Sequence, residues 1–453
     1  MSVAASKGGY FPSPDDPKGL DIPTLQMWRD LGTEGTSGED AYWTLRESAS
    51  PLQIEIGIGN KCGQDCPRCF LAYGPGSTLD RDLVPLDRLI GATNEFIDDF
   101  DTRVIAVVDR DALTFGRSVP YFSNLKRKRE QHPDLVFGGV TNGLFIDEFA
   151  DDLEEIRLTY LDVSLDGLRE EHDAQRGEGS FDRTVSNIEL AIDRELAERV
   201  LVAPTLDAHN GESIVQLVEK LAVEKGVSWF NIGPLMAVET KHRRLGPDDI
   251  PYFLERLCDR LAPISFDREV KVLFDICAYC AAFIPGLIHH GWLDPEEIRQ
   301  DQYEHLYQEI DINDSVTLVL RPEMIPDYFH HTVRISADGH FIGGCELLSA
   351  DDYAPKSVGN MQDESLSELY QRSLETGSPF HQMMQAYDQS VCRGKACYQH
   401  CLGGDSLLAQ AVHSDFNVKG PNCGWDEYSP PAHSVGTGFE MEDEHRLLVL
   451  SET

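Results

Sequence analysis

From residue 51 onward the chain alternates between two hydrophobic rhythms. Six short apolar runs rich in Val and Ile occur at 53–59 (QIEIGIG), 104–109 (VIAVVD), 136–143 (VFGGVTNG), 160–167 (YLDVSLDG), 200–206 (VLVAPTL) and 229–235 (WFNIGPL). Between them lie stretches with helical spacing: 86–100; 181–198, with Val185, Ile188, Ala191 and Ile192 on one stripe; and 212–224, with Ile214, Leu217, Val218 and Leu221 together. Strands alternating with amphipathic helices predict βαβ units around a parallel sheet, with right-handed crossovers placing the helices outside. Six such units curl into a partial (β/α)6 barrel, and the pattern offers no seventh or eighth.

Beyond 262 the rhythm is less regular. An apolar helix is expected over 270–288, within a bridging segment. A β-hairpin is expected at 332–342 (TVRISADGHFI), with Ala337, Asp338 and Gly339 in its turn. The polar, acidic last stretch reads as a tail. The expected division is an N-terminal extension (1–50), the barrel (51–262), a bridge (263–331), a smaller cysteine-rich α+β domain (332–425) and the acidic tail (426–453). Overall the chain is α/β.

No run of about 18 apolar residues is present, so no membrane-spanning helix is expected. The first residues lack a basic region followed by an apolar one, so a cytoplasmic location is expected. The net charge is −39, and of the 39 basic residues 27 are Arg and 12 Lys. An acidic, lysine-poor surface resembles that of proteins from salt-loving microbes, where salt screens self-repulsion. It disfavours nucleic acid as a partner, because phosphate contacts need clustered cations. The one basic run, Lys126-Arg127-Lys128-Arg129, reads as a solvated helix face.

The eleven cysteines are unevenly placed. Cys62, Cys66 and Cys69 form a C-x3-C-x2-C array three residues after the first apolar run. Cys258, Cys277 and Cys280 lie mid-chain, and Cys345, Cys392, Cys397, Cys401 and Cys423 follow the hairpin. In a reducing compartment such clustering points to metal rather than disulfides. In a parallel barrel the chemistry sits on the loops after the strands, which is where the first array falls. Three closely spaced thiolates can hold three irons of a cubane and leave the fourth without a protein ligand. Zinc would want a fourth Cys or His nearby.

This array resembles that of the radical S-adenosylmethionine (SAM) superfamily. The resemblance implies that Cys62, Cys66 and Cys69 carry a 4Fe–4S cluster whose open iron chelates SAM. Reductive cleavage then gives a 5′-deoxyadenosyl radical that abstracts a hydrogen atom from substrate. An aromatic residue commonly precedes the third cysteine in that family, where this chain has Arg68. A glycine-rich turn ending in Glu is replaced here by Asp109-Arg110-Asp111-Ala112-Leu113, in which Asp111 takes the Glu's place in holding the methionine amino group. The stretch Ser164-Leu165-Asp166-Gly167, followed by His172 to Phe181, resembles members that modify peptides. There Ser164 would hydrogen-bond the ribose, unless it is an ordinary strand-end serine. Arg176 pairs either with a carboxylate of cofactor or substrate or in a surface salt bridge, and Thr141-Asn142-Gly143 matches a turn of the family.

The region from Cys345 resembles the SPASM/twitch-like auxiliary-cluster domain, named for subtilosin, pyrroloquinoline quinone, anaerobic sulfatase and mycofactocin maturation. Its five cysteines suffice for at least one auxiliary 4Fe–4S cluster, with a structural zinc site as the alternative. Cys277 and Cys280 read as small hydrophobes of a helix or as further ligands, and Cys258 as core. The expected substrate is a peptide or protein side chain. A small molecule such as a sugar or cofactor precursor is the alternative, and a non-catalytic iron–sulfur scaffold a third reading. A ferredoxin or flavodoxin would supply the electron.

Overall fold

The computed structural model describes residues 37–59, 61–64, 66, 67, 69, 83–108, 110–113, 115–235, 245, 246, 248–276, 278–300, 305–322, 332–342, 357–393, 395 and 401. The elements in chain order begin with α1 (Gly38–Ser48), β1 (Gln53–Gly57), α2 (Leu86–Asp99), β2 (Val104–Val108), α3 (Ser118–Arg129), β3 (Val136–Thr141), α4 (Ile146–Ile156) and β4 (Tyr160–Ser164). They continue with α5 (Arg169–Arg176), α6 (Ser180–Asp193), β5 (Val200–Ala203), β6 (Thr205–Leu206), α7 (Gly211–Lys225), β7 (Trp229–Pro234), α8 (Asp249–Leu261) and β8 (Val270–Ile276). A 3-10 turn (Ala278–Phe283) leads to α9 (Ile284–His289), then β9 (Arg299–Gln300), β10 (Leu306–Asn313) and β11 (Val316–Pro322). Last come β12 (Thr332–Ile335), β13 (His340–Ile342), β14 (Ser357–Asn360), α10 (Leu366–Ser373) and α11 (Pro379–Gln389).

All six expected strands are present and pair in parallel in the order β1-β2-β3-β4-β5-β7. The sheet then runs on. β8 pairs parallel with β7, β11 parallel with β8, and β12 parallel with β1 on the other flank. The antiparallel strands β10 and β13 extend the two sides, and among the described residues the sheet ends at β14 and β9 without closing. The helix expected over 270–288 is therefore corrected: its first seven residues are β8, and only Ile284–His289 is α-helical. The cause is visible in the burial pattern. Val270, Val272, Phe274 and Ile276 join the main core, while Lys271, Leu273 and Asp275 alternate onto the opposite face. A period of two was hidden by the apolar residues that follow.

That alternation governs the whole sheet. Ile54 and Ile56 of β1, Ile105 and Val107 of β2, Leu161 and Val163 of β4, and Phe230 and Ile232 of β7 belong to the large cluster shared with helix residues such as Leu89, Phe96, Tyr121 and Phe149. The other face starts with an apolar floor of strand residues alone, Val104, Val136, Tyr160, Leu201, Leu273 and Val319, with Tyr307, and Trp229 against it. Above that floor the same face carries polar groups, so the barrel interior is apolar at the bottom and polar toward the strands' C-terminal ends.

The hairpin β12–β13 forms as expected, and Gly339 adopts φ +93° in its turn. The helix α10 starts on a capping box between Ser365 and Glu368. The N-terminal helix α1 docks on α11: Tyr42 lies 5.5 Å from the Phe380 ring centroid, and its hydroxyl donates to the Leu374 carbonyl at 2.7 Å. The sheet is continuous across the boundaries expected at 262/263 and 331/332. The basic run caps α3 and is spread over acidic neighbours, Lys128 on Asp98 at 2.5 Å and Arg129 on Glu198 at 2.6 Å. No helix among the described residues is long and apolar enough to cross a membrane.

Candidate functional site

The loops that leave β1, β2, β3 and β4 meet at one end of the sheet. Cys62, Cys66 and Cys69 lie on the loop after β1, all half-buried and none in a disulfide. A backbone hydrogen bond from Cys69 N to Cys66 O at 3.0 Å tightens the second half of the array. Burial pushes the Cys66 thiol up to about 11, and the Arg176 charge draws it back. A bound cation is what would hold such a thiol deprotonated.

Asn142, at the end of β3, donates from Nδ2 to Cys62 Sγ at 3.5 Å. Its own placement is fixed by Asp111. The buried Asp111 carboxylate accepts from Asn142 N (3.0 Å), Thr141 Oγ1 (2.9 Å) and Leu113 N (2.8 Å), tying the loop after β2 to the end of β3. Burial pushes Asp111 up to about 6, against the donors that surround it. The structure thus gives Asp111 a place one step behind the thiol loop, held by protein donors. Gly143 follows with φ +80°, and a Cβ there would sit 2.7 Å from Val163 Cγ1, so this turn needs glycine.

From β4 comes a second chain of contacts. Asp166 is buried, accepts from Arg176 Nε at 2.7 Å and from Thr205 N at 3.0 Å, and donates its own N–H to His172 Nδ1 at 3.2 Å. Burial alone would raise the Asp166 carboxyl, but the Arg176 charge and these donors hold it below its ordinary value. His172 is pushed down to about 4, first by burial and then by Arg176, and is neutral. Arg176 Nη1 reaches Gln64 Oε1 at 3.4 Å, between Cys62 and Cys66 in sequence, and Cys66 Sγ lies 3.9 Å from the same oxygen. Arg176 is therefore an interior cation facing the cysteine loop, not a surface salt bridge. Ser164, at the end of β4, is buried, and its hydroxyl has no hydrogen-bond partner among the described residues.

Three groups were not singled out from sequence: Asn142 as a neighbour of Cys62, the Asp166–Arg176–Gln64 chain, and the polar layer inside the barrel. In that layer Arg334 Nη1 donates to Glu55 Oε2 at 3.1 Å, Asn231 Nδ2 donates to Asp162 Oδ2 at 3.2 Å, and Arg321 lies 3.9 Å from Asp275. The signal was present as polar residues at inward positions of otherwise apolar strands. Burial pushes Asp162 up to about 7, and Asp275 adds to the push. A carboxyl raised this way costs no folding free energy below its unfolded value near 4. The cost grows as pH rises through about 7. The variant Asp162→Asn is accordingly expected to gain thermal stability relative to the parent between pH 5 and pH 8, as measured by unfolding midpoints.

Of the second cysteine group, Cys392 follows α11 and is buried, as is Cys401. Cys345, Cys397 and Cys423 lie outside the described residues, as do Cys277, the side chain of Cys280 and the acidic tail. Cys258 packs against the main core from α8.

Residues 56–221, just over a third of the chain, match the family model of the Radical SAM superfamily. That family implies a 4Fe–4S cluster and SAM. The donors present fit: three thiols on one loop at the mouth of a parallel sheet, with an amide N–H on one of them. Among the described residues no three Cys, His, Asp or Glu groups converge on a point for a single ion, whereas thiolates of a cubane belong to separate irons. The Fe-coproporphyrin III synthase of Methanosarcina barkeri is 31% identical over 143 residues, 29% of this chain and 35% of that protein, so the chain spans about a third of the length of this curated relative. Among solved structures, SuiB of Streptococcus suis bound to its precursor peptide SuiA superposes with TM-score 0.60 at 12% identity, over 85% of this chain and 79% of that one. The anSMEcpe enzyme with bound AdoMet and Cp18Cys peptide gives 0.53 at 14% identity, over 82% and 94%. At these identities the likeness is one of fold.

Proposed function

We propose that the chain is a radical SAM enzyme acting on a peptide or protein side chain, with Cys62, Cys66 and Cys69 as cluster ligands and a cytoplasmic location. The observation that carries this reading is the position of the three thiols on the loop after β1, at the polar mouth of the barrel. The bound cluster and SAM would supply a 5′-deoxyadenosyl radical for hydrogen-atom abstraction. The protein's part is to position and to shield. Asn142 steadies Cys62, and Asp111 fixes Asn142. Arg176, held by Asp166, places a positive charge against the loop, while the Ser164 hydroxyl at the end of β4 is available to a ribose. The apolar floor keeps water from entering from the far end of the barrel.

Peptides are favoured as substrates because SuiB and anSMEcpe, two of the solved structures of similar fold, have each been seen with a peptide bound. The resemblance of the region from Cys345 supports at least one auxiliary 4Fe–4S cluster, and the burial of Cys392 and Cys401 suits cluster ligands. A ferredoxin or flavodoxin would be the electron donor. The likeness to Fe-coproporphyrin III synthase favours a second reading, the same chemistry on a small molecule. Anaerobically reconstituted, reduced protein incubated with SAM is expected to release 5′-deoxyadenosine under either reading. No cleavage by protein carrying a full iron complement would sink both.

A further inference from the structure

The thiol loop and Arg176 occupy the mouth of the barrel, and one step deeper along the same strands lies a second set of polar groups. Asp162 precedes Ser164 by two residues on β4, and Asn231 holds the equivalent inward position on β7. Their side chains meet across β5, with Asn231 Nδ2 donating to Asp162 Oδ2 at 3.2 Å. Beneath them is the apolar floor of Tyr160, Leu201 and Trp229. Asp162 is 94% buried, its relative exposure being 6%. Its Oδ1 and the Asn231 Oδ1 are both shielded from solvent, with no hydrogen-bond partner among the described residues. Buried polar atoms in native proteins are nearly always satisfied. Two neighbouring acceptors inside a reaction chamber call for a donor brought from outside.

We propose that Asp162 Oδ1 and Asn231 Oδ1 form a seat for an N–H donor of the substrate, an amide or amine group that enters past the thiol loop and stops against the apolar floor. The inference rests on the barrel being the reaction chamber, as proposed above. With Asp162 ionised, both open positions are acceptors, and they repel a carboxylate or phosphate set against them. The interior cations nearby already face acids, Arg321 toward Asp275 and Arg334 toward Glu55. The chain's net charge of −39 works in the same direction, drawing cations inward and holding polyanions off. A donor-bearing substrate is thereby favoured over one rich in carboxylates. An ammonium or amide N–H at Oδ1 would favour the charged form of Asp162, working against the burial that raises its carboxyl.

The test is crystallographic. Crystals of the reconstituted full-length protein are soaked with methylammonium, N-methylacetamide or propionate over a concentration series. The expected result is a donor nitrogen about 3 Å from both oxygens. The concentration needed should rise about tenfold or more in Asp162→Leu and Asn231→Leu, with iron content and thermal unfolding checking that each variant is folded. Preference for methylammonium over N-methylacetamide separates an amine from an amide. Propionate in the seat, only ordered water at the highest donor concentration, or donor occupancy unchanged in both variants would overturn the proposal. An occupied seat in protein that forms no 5′-deoxyadenosine sinks the enzymatic reading and leaves the seat standing. 5′-Deoxyadenosine formation with the seat unfilled does the reverse.

Discussion

Cys62→Ala, Cys66→Ala and Cys69→Ala are each expected to abolish 5′-deoxyadenosine formation and to lower the iron content by that of one cluster. Each thiolate would bind its own iron, so no second thiol of the array can substitute for a lost one. The loop geometry says why the neighbours cannot help. Cys62 is fixed from β3 by Asn142, and Cys66 and Cys69 are linked by a backbone hydrogen bond, so each sits in its own place. Iron at the proposed auxiliary site, whose cysteines begin at Cys345, far along the chain from the first array, should survive all three changes. Retention of SAM cleavage in any one variant at full iron content would contradict the assignment.

Asp166→Ala is expected to be the most destabilising single change at the site, by about 3–5 kcal/mol, the usual cost of stranding one partner of a buried ion pair. The Asp166 side chain is 2% exposed and that of Arg176 15%, so solvent screens the pair little. The same substitution takes the acceptor from Thr205 N, loosening β4 from the strand segment after β5. Arg176 would lose its anchor and with it the contact to Gln64 on the cysteine loop. Two further variants separate charge from packing. Asp166→Asn keeps acceptor capacity and should lose less, and the double change Asp166→Ala with Arg176→Met should recover part of the loss by removing the stranded cation. Denaturation midpoints of the three proteins test this ordering. A single-variant loss below about 1 kcal/mol, the range of exposed pairs, would mean that solvent reaches the pair.

What could be read from sequence follows from how local each signal is. The six parallel strands from β1 to β7 announced themselves because each is a compact apolar run bounded by helical periodicity. The array Cys62, Cys66, Cys69 was legible because its ligands are contiguous. β8 was missed because Val270–Ile276 runs directly into an apolar 3-10 turn and α9, and the combined length resembled one helix. β11 and β12 were also hidden from the barrel count, since their places beside β8 and β1 depend on pairings far apart in sequence.

The site shows the same division. Asp111 was singled out by analogy with a turn, but its contacts with Thr141 and Asn142 join loops some 30 residues apart, which no spacing rule reveals. Arg176 left two readings open, and its pairing with Asp166 inside the barrel decides against the surface one. The inward polar layer could have been found by asking of each strand which residues break its apolar pattern. Asp162, Asn231, Asp275, Arg321 and Arg334 all fall at alternate positions, and together they mark the face that looks into the barrel.

SAM is expected to bond to a metal held by Cys62, Cys66 and Cys69. Electron–nuclear double resonance on the reduced, reconstituted protein, with SAM labelled by nitrogen-15 at the amino group and oxygen-17 at the carboxylate, addresses this directly. Hyperfine coupling of both labels to the cluster signal, lost in Cys66→Ala, is the predicted result. A cluster signal that ignores the labels, or zinc in place of iron at the first array, would contradict it.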